Sequence, residues 1–142
     1  MRIAIVNGPN INMLGKRNEN HYGKFTLDDL NLLLEKTFPL VEFSFFQSNH
    51  EGFIIDYLQD LNVDGLLINA AAFTHTSIGI RDALEMIVIP KVEVHLSDID
   101  QREAFRKINY IKDVVDGRFY GKKEHSYIEG VSFLVDKIRN FK

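Results

Sequence analysis

The chain of 142 residues contains no cysteine, no tryptophan and only three prolines. The absence of thiols excludes disulfides, thiolate metal sites and cysteine nucleophiles. No apolar run approaches the length of about 20 residues that a membrane span needs. The opening apolar run is also too short for the core of a signal peptide. We therefore expect a cytoplasmic protein that does not associate with a membrane.

Clusters of positive charge are also missing. The net charge is −3, and no group of lysines and arginines is long enough to follow a phosphate backbone, so nucleic-acid binding is not expected. The remaining composition, 45% apolar and 26% charged, is that of an ordinary globular protein. The length suits one domain with a sizeable core, and we expect a single domain over residues 1–142.

Strand and helix patterns alternate along the chain. Short apolar runs predict strands at about residues 2–6, 41–46, 65–68, 91–95 and 114–119. Helical spacing and start signals predict helices over about residues 26–38, 48–61, 77–87, 100–105 and 124–139. Thr26 with Asp29, and Ser48 with Glu51, resemble capping boxes that start the first two helices.

This alternation predicts an α/β protein, a parallel sheet with helices on both faces. Five strands in a chain of this length indicate the flavodoxin-like arrangement with strand order 2-1-3-4-5. Strands 1, 3 and 4 are then neighbours, and their carboxyl ends meet at one edge of the sheet. Polar residues follow all three strands, so we expect them to converge on one crevice, where such folds bind ligands.

The loop after strand 1 carries Asn10, Arg17 and Tyr22. A cation held near a phenol favours the phenolate, and this is one way to make a tyrosine into a base. The alternative is a surface loop with a solvated arginine and a packed tyrosine.

Strand 4 places Glu93 and His95 on the same face, because side chains alternate along a strand. A carboxylate beside an imidazole fixes its tautomer, which suits a general acid. One alternative is a surface ion pair. The other is a zinc site that also uses His75, although no H-E-x-x-H spacing is present.

Two arginines, Arg102 and Arg106, lie four residues apart on the predicted short helix and share a face. We expect one of them to reach the crevice and clamp a carboxylate, and the other to remain on a solvated helix face. The neighbouring Arg81 and Asp82 could form an ordinary surface pair.

Four segments of the sequence resemble the type II 3-dehydroquinate dehydratases. They are GPNINMLGKR at 8–17 followed by Tyr22-Gly23, FQSNHEG at 46–52, the stretch from Asn69 to Arg81-Asp82-Ala83, and VEVHLS at 92–97 with Arg102 and Arg106. They occur in the family's order, with similar spacing, over residues 1–106.

The resemblance implies a flavodoxin-like enzyme of the shikimate pathway that dehydrates 3-dehydroquinate to 3-dehydroshikimate. The elimination is trans and passes through an enolate, without a metal or an organic cofactor. By position, Tyr22 resembles the base, Arg17 the residue that keeps it ionised, and Asn10 the residue that holds a water at the enolate. His95 resembles the acid that protonates the departing hydroxyl, and Glu93 its orienting partner.

The resemblance also implies contacts with the substrate. Asn69, His75 and Arg106 match residues that contact substrate hydroxyls, and the backbone N–H groups of Leu96 and Ser97 match a cradle for the carboxylate. Asp82 matches a residue contributed by a neighbouring subunit, in trimers that assemble into dodecamers.

Three positions depart from the family pattern. Ala70 replaces a frequent proline, Asp98 replaces a usual asparagine and adds negative charge near the expected carboxylate site, and residues 119–123 replace a turn richer in glycine. Two other functions share the fold class, a phospho-receiver module and an FMN-binding flavodoxin. A receiver needs acidic residues where this chain has Asn7-Gly8 and Asn69, and a flavodoxin needs a Ser/Thr-rich phosphate loop after strand 1.

Overall fold

The computed structural model describes residues 1–141. Its five strands form one sheet in which every neighbouring pair is parallel. The strand order, β2-β1-β3-β4-β5, confirms the predicted flavodoxin-like arrangement. The strands are β1 (Arg2–Asn7), β2 (Glu42–Gln47), β3 (Gly65–Asn69), β4 (Lys91–His95) and β5 (Gly117–Tyr120).

Helices connect the strands and cover both faces of the sheet. The α-helices are α1 (Glu19–Tyr22), α2 (Leu27–Thr37), α3 (Glu51–Gln59), α4 (Ile78–Glu85) and α5 (Glu124–Phe141). Short 3₁₀ segments occupy several loops, at Ile11–Met13, Ala71–His75, Ile99–Gln101, Ala104–Lys107 and Lys112–Val114. None of the helices in residues 1–141 is both long and apolar enough to cross a bilayer.

Alternate side chains of the central strands build two separate cores. Ile3 and Ile5 of β1 point to the face covered by α2 and α5. Ala4 and Val6 of the same strand point to the face covered by α3 and α4. Because β1 and β3 lie inside the sheet and are covered on both faces, their buried residues are apolar up to the asparagines at their carboxyl ends, whereas β4 also buries Glu93 in its middle.

One of the two predicted capping boxes is present. The Thr26 hydroxyl accepts from the Asp29 N–H at 3.1 Å, and the Asp29 carboxylate accepts from the Thr26 N–H at 3.0 Å. The predicted capping box at Ser48 is wrong. The N-cap of α3 is His50, whose side chain makes no capping hydrogen bond. The Ser48 hydroxyl instead accepts from the His50 N–H at 2.9 Å and tightens the turn before the helix.

The predicted helix over residues 100–105 is also wrong. Arg102 has an extended backbone, with φ −104° and ψ −160°, and it separates two 3₁₀ segments. The fifth strand begins later than residue 114, because Asn109 holds the preceding residues in a turn. Its side-chain oxygen accepts from the N–H groups of Ile111 and Lys112, at 2.9 and 3.0 Å.

A glycine brings the loops after β1 and β3 into contact. The Gly8 N–H donates to the Asn69 carbonyl at 2.8 Å. A Cβ at Gly8 would lie 2.5 Å from the carbonyl oxygen of Ala70, so no larger residue fits without moving the backbone. This close approach places the residues after β1 beside those after β3.

Candidate active site

A cavity opens at the carboxyl ends of β1, β3 and β4, where the sheet topology predicts a ligand site. Its empty space, which includes open solvent, is about 540 Å³. The sequence-predicted residues that line it are Asn10, Arg17, Tyr22, Asn69, His75, His95, Leu96, Ser97 and Arg106. Glu93 lies behind His95, and Asp82 is exposed on α4, outside the cavity of its own chain.

Two arginines hold the Tyr22 ring from different sides. Tyr22 ends the short helix α1 and is only 8% exposed. The Arg102 Nη1 donates to its phenol oxygen at 2.6 Å. The Arg17 guanidinium carbon lies 3.7 Å from the centroid of the ring. Two positive charges therefore lie beside this buried phenol.

The positive charges of Arg17, Arg102 and Arg106 also repel one another. Burial, and the neighbouring charges of Arg102 and Arg106, lower the pKa of Arg17, while Tyr22 acts in the opposite direction. A guanidinium remains protonated under these conditions. The arginines therefore make the cavity positive and suited to an anionic ligand.

The expectation that only one of Arg102 and Arg106 reaches the crevice is wrong, since both line the cavity. Arg102 lies between two 3₁₀ segments and Arg106 lies on the second, so they do not share one helix face, and the extended backbone at Arg102 turns its side chain independently of Arg106. No local sequence pattern signals the contact between Arg102 and Tyr22, which are 80 positions apart.

His95 and Glu93 form the predicted pair. His95 Nε2 lies 2.5 Å from Glu93 Oε2, and both side chains are buried, His95 at 4% exposure and Glu93 at 0%. The surface ion pair is therefore excluded. The ring's other nitrogen, Nδ1, is left for the cavity that His95 lines.

His75 has a defined tautomer. Its Nδ1 lies 2.6 Å from the carbonyl oxygen of Ile108, which can only accept, so Nδ1 carries the proton. Burial, opposed in part by that hydrogen bond, lowers the pKa of His75. In the neutral ring the free Nε2 is an acceptor, which suits a ligand hydroxyl.

A buried tyrosine orients Asn69. The Tyr127 hydroxyl on α5 is fully buried, donates to Asn7 Oδ1 at 2.5 Å and accepts from Asn69 Nδ2 at 2.8 Å. Asn69 Oδ1 accepts from the Ala71 N–H at 3.0 Å. Burial raises the pKa of Tyr127 far above its ordinary range, so its hydroxyl stays neutral. Sequence reasoning missed Tyr127 because it lies on a helix whose apolar face looks like ordinary core.

Asn10 is held by backbone geometry. It adopts a left-handed conformation, with φ 68°, and its N–H donates to Asn49 Oδ1 at 2.9 Å. This conformation is tolerated by asparagine better than by most residues. Gln47 Nε2 donates to the Gly8 carbonyl at 3.1 Å and ties the same loop to the end of β2.

One further expectation on charged residues needs correction. Arg81 does not pair with Asp82, because its Nη1 donates to the Tyr110 carbonyl at 2.7 Å.

Asp98 lies beside Leu96 and Ser97, as expected, but it does not line the cavity itself. Its side chain accepts from the Asp100 N–H at 3.1 Å and caps a 3₁₀ segment.

Within the described residues, no group of three or more histidine, cysteine or acidic side chains is arranged to hold a metal ion. His75 and His95 both line the cavity, but each directs one ring nitrogen to a protein oxygen, the Ile108 carbonyl and the Glu93 carboxylate respectively. The arrangement therefore offers donors and acceptors for hydroxyl and carboxylate groups.

Comparison with known proteins decides the family. The model of the family described as dehydroquinase class II matches residues 1–135. The chain belongs to the class II dehydroquinase family. A 3-dehydroquinate dehydratase of Thermotoga neapolitana is 51% identical over 136 residues, which cover 94% of each chain.

Solved dehydroquinases share the whole fold. The type II dehydroquinase from Butyrivibrio crossotus superposes with a TM-score of 0.92 at 39% identity, covering 95% of this chain and 97% of that one. The type II dehydroquinase from Propionibacterium acnes gives a TM-score of 0.90 at 32% identity, covering 95% and 96%. Membership in the dehydroquinase family, together with the absence of acidic residues at the ends of β1 and β3, leaves the receiver and flavodoxin alternatives without support.

Proposed function

We propose that this chain catalyses the trans-dehydration of 3-dehydroquinate to 3-dehydroshikimate, the shikimate-pathway reaction of the family to which it belongs. The observation that carries the proposal is a tyrosine held by two arginines in the same cavity as a histidine–glutamate pair. We further propose that residues 1–142 act as one catalytic domain in the cytoplasm.

The reaction begins with removal of the proton next to the ketone. Tyr22 is the base, and it acts as the phenolate that Arg102 and Arg17 favour. Its burial excludes water, which strengthens both electrostatic interactions. Tyr22 lies in the segment of residues 15–24, which has a positive-φ glycine near each end, Gly15 at 92° and Gly23 at 86°. This segment would act as a lid that closes over the bound substrate and excludes water.

The enolate that forms needs a donor placed where the negative charge develops. Asn10 fills this role by holding a water, since its backbone is fixed in the left-handed conformation. His95, oriented by Glu93, then protonates the departing hydroxyl as the carbon–oxygen bond breaks. Each proton transfer is assigned to a side chain, so the proposal contains no step that requires a metal or an organic cofactor.

The remaining cavity residues bind the substrate. The backbone N–H groups of Leu96 and Ser97 hold its carboxylate, near the positive charge of the arginine cluster. Arg106 and Asn69 contact its hydroxyls, and His75 accepts from another hydroxyl through Nε2. These contacts distinguish a polyhydroxylated ring from an apolar one, because an unpaired polar group in the site is costly.

We also propose that the site is shared between subunits of a trimer, and that trimers assemble into a dodecamer. Asp82 is exposed on α4 and does not line its own cavity, while its neighbour Arg81 is engaged by a backbone carbonyl. A carboxylate so placed is available to a second copy of the chain, where it can hold a substrate hydroxyl or orient Arg106.

Subunit mixing tests the shared site. The variants Asp82→Ala and Tyr22→Phe are each expected to be nearly inactive, and are unfolded together and refolded as mixed oligomers. Some sites then combine an intact Tyr22 from one chain with an intact Asp82 from the next, so activity should exceed that of both parents. Verified mixed oligomers without activity, or full activity of Asp82→Ala alone, would refute the proposal.

The enone absorbance of 3-dehydroshikimate tests the function directly. Pure protein with 3-dehydroquinate should produce it, and Tyr22→Phe should abolish turnover without changing the fold. Tyr57→Phe is the matched control. Tyr57 stacks on Phe46, with ring centroids 4.2 Å apart, in the core on the opposite face of the sheet from Tyr22. Near-normal turnover in Tyr22→Phe would remove the assignment of the base.

A further inference from the structure

The buried carboxylate of Glu93 accepts hydrogen bonds from three different elements of the fold. Its Oε2 lies 2.5 Å from His95 Nε2 and 2.7 Å from Asn109 Nδ2. Its Oε1 accepts from Arg118 Nε at 2.9 Å. The proposed reaction uses the bond to His95 and leaves the other two unexplained.

The orientation of the Asn109 amide is fixed by its own backbone contacts. Its Oδ1 accepts from the N–H groups of Ile111 and Lys112, at 2.9 and 3.0 Å. The amide nitrogen must therefore face Glu93, and an amide nitrogen can only donate. Asn109 consequently requires that Glu93 act as an acceptor.

Arg118 reaches Glu93 from the edge of the sheet. It is the residue of β5 directly paired with Glu93 in the β4–β5 register. Its guanidinium carbon lies 4.9 Å from the centroid of the Tyr120 ring, and the side chain is 25% exposed. Arg118 does not line the cavity, so it cannot touch a ligand there.

We propose that Arg118 and Asn109 are positioning residues for the acid His95, acting through Glu93. The groups that face Glu93, Asn109 Nδ2 and Arg118 Nε, can only donate. They therefore hold Glu93 as a carboxylate that accepts from His95 Nε2. The imidazole proton is thereby kept on Nε2, and Nδ1 is left to exchange a proton with the substrate. The inference rests on the acid role assigned to His95 in the proposed function.

The proton balance of the acid step follows from this arrangement. Protonated His95 carries one proton on each ring nitrogen, and its Nδ1 proton passes to the departing hydroxyl oxygen. The electron pair of the broken carbon–oxygen bond leaves with that oxygen, as water. His95 is then neutral with its proton on Nε2, and Glu93 is a carboxylate before and after the step.

The electrostatics of Glu93 agree with this role. Burial opposes its ionisation, but hydrogen bonding and the charge of His95, the bond from Asn109 and the charge of Arg118 outweigh burial. The pKa of Glu93 therefore lies below its ordinary value. Arg118 favours the carboxylate directly.

Other charged groups also face the pair, and they stay in place when Arg118 is changed. His75 lies on the 3₁₀ segment after β3, and Arg106 lies on the segment after β4; both interact electrostatically within this cluster. Removing Arg118 alone takes away one of the groups that lower the pKa of Glu93, so this carboxylate becomes easier to protonate. The acid limb of the pH–rate profile, where protonation of Glu93 would release His95, should then move to higher pH.

The test compares Arg118→Gln, Arg118→Lys and the wild type by kcat, KM and pH–rate profile. A general acid contributes about 10²–10⁴-fold to rate. In Arg118→Gln the acid His95 is still present, but Glu93 positions it less firmly. We therefore expect kcat to fall about tenfold, with KM nearly unchanged. The acid limb of its profile should move to higher pH by about half a pH unit or more. Arg118→Lys should restore most of the profile, because it returns the charge.

The control is Arg139→Gln, which removes the same charge from an exposed position on α5. Arg118→Ala provides a second readout, because the partly exposed position allows added guanidinium ion to enter and should restore kcat. A wild-type profile in Arg118→Gln, or a loss of kcat that neither lysine nor guanidinium reverses, would overturn the inference. An inactive wild type would instead refute the proposed function, so the two failures are distinguishable.

Discussion

Replacing Arg102 by methionine removes the only arginine nitrogen that donates to the Tyr22 oxygen among the described residues. The apolar side chain keeps most of the volume but neither the charge nor the hydrogen bond. Arg17 stays stacked on the ring and supplies only part of the lost stabilisation. The phenolate of the proposed mechanism then loses its hydrogen-bond donor, so we expect the proton-abstraction step to slow.

The magnitude follows from the geometry. A hydrogen bond to a charged group contributes about 1.5–3 kcal/mol, which corresponds to a rate loss of about 10- to 150-fold. The Arg102 side chain is only 11% exposed, so solvent screens its charge weakly. A unit charge at about 4 Å with an effective dielectric of about 20 contributes about 4 kcal/mol, which sets an upper limit near a thousandfold.

The assay follows kcat from neutral to strongly alkaline pH in Arg102→Met and in Arg102→Lys. In Arg102→Met the deficit should shrink as the pH rises, because the phenol then ionises without help. Arg102→Lys retains a positive charge and should lose less activity at neutral pH. A deficit that stays constant with pH, or that appears only in KM, would show that Arg102 binds substrate rather than assisting the base.

The remaining predictions concern the network, the lid and the cofactor. Tyr127→Phe leaves Asn7 Oδ1 and Asn69 Nδ2 without their buried partner and should lower the free energy of unfolding by about 1–3 kcal/mol, measured in urea, and raise KM; an unchanged stability would contradict the network. Residues 15–24 should exchange amide protons faster without ligand than with a bound substrate analogue, and equal exchange would contradict a closing lid. Exhaustive chelation should leave kcat unchanged, and a loss restored by one metal would revive the metal hypothesis.

Much of the fold could be predicted because the signals are local. Continuous apolar runs such as that of β3, and a capping box such as Thr26 with Asp29, depend on neighbours in the sequence. The prediction of a capping box at Ser48 was wrong because the same residue pattern also suits a turn, in which Ser48 lies two residues before the N-cap. The prediction of a helix over residues 100–105 was wrong because Arg102 makes a tertiary contact with Tyr22, which hydrophobic periodicity cannot reveal.

The site could be predicted in part, because the topology brings the ends of β1, β3 and β4 together. His95 and Glu93 followed from strand alternation, but the partners of Glu93 did not. Asn109 and Arg118 come from a turn and an edge strand whose positions depend on packing. Tyr127 was missed for a similar reason, since its hydroxyl is recognisable only once α5 is placed over the sheet.

The stereochemistry of proton loss tests the central claim most directly, namely that a base and a separate acid perform a trans-elimination. The substrate is 3-dehydroquinate with deuterium at one of the two positions on the carbon next to the ketone, with an enzyme-free sample to measure exchange. Deuterium on the ring face opposite the departing hydroxyl should be lost, and deuterium on the same face should be kept in the product. Loss of the same-face deuterium, or equal loss of both above the blank, would contradict the assignment of Tyr22 and His95.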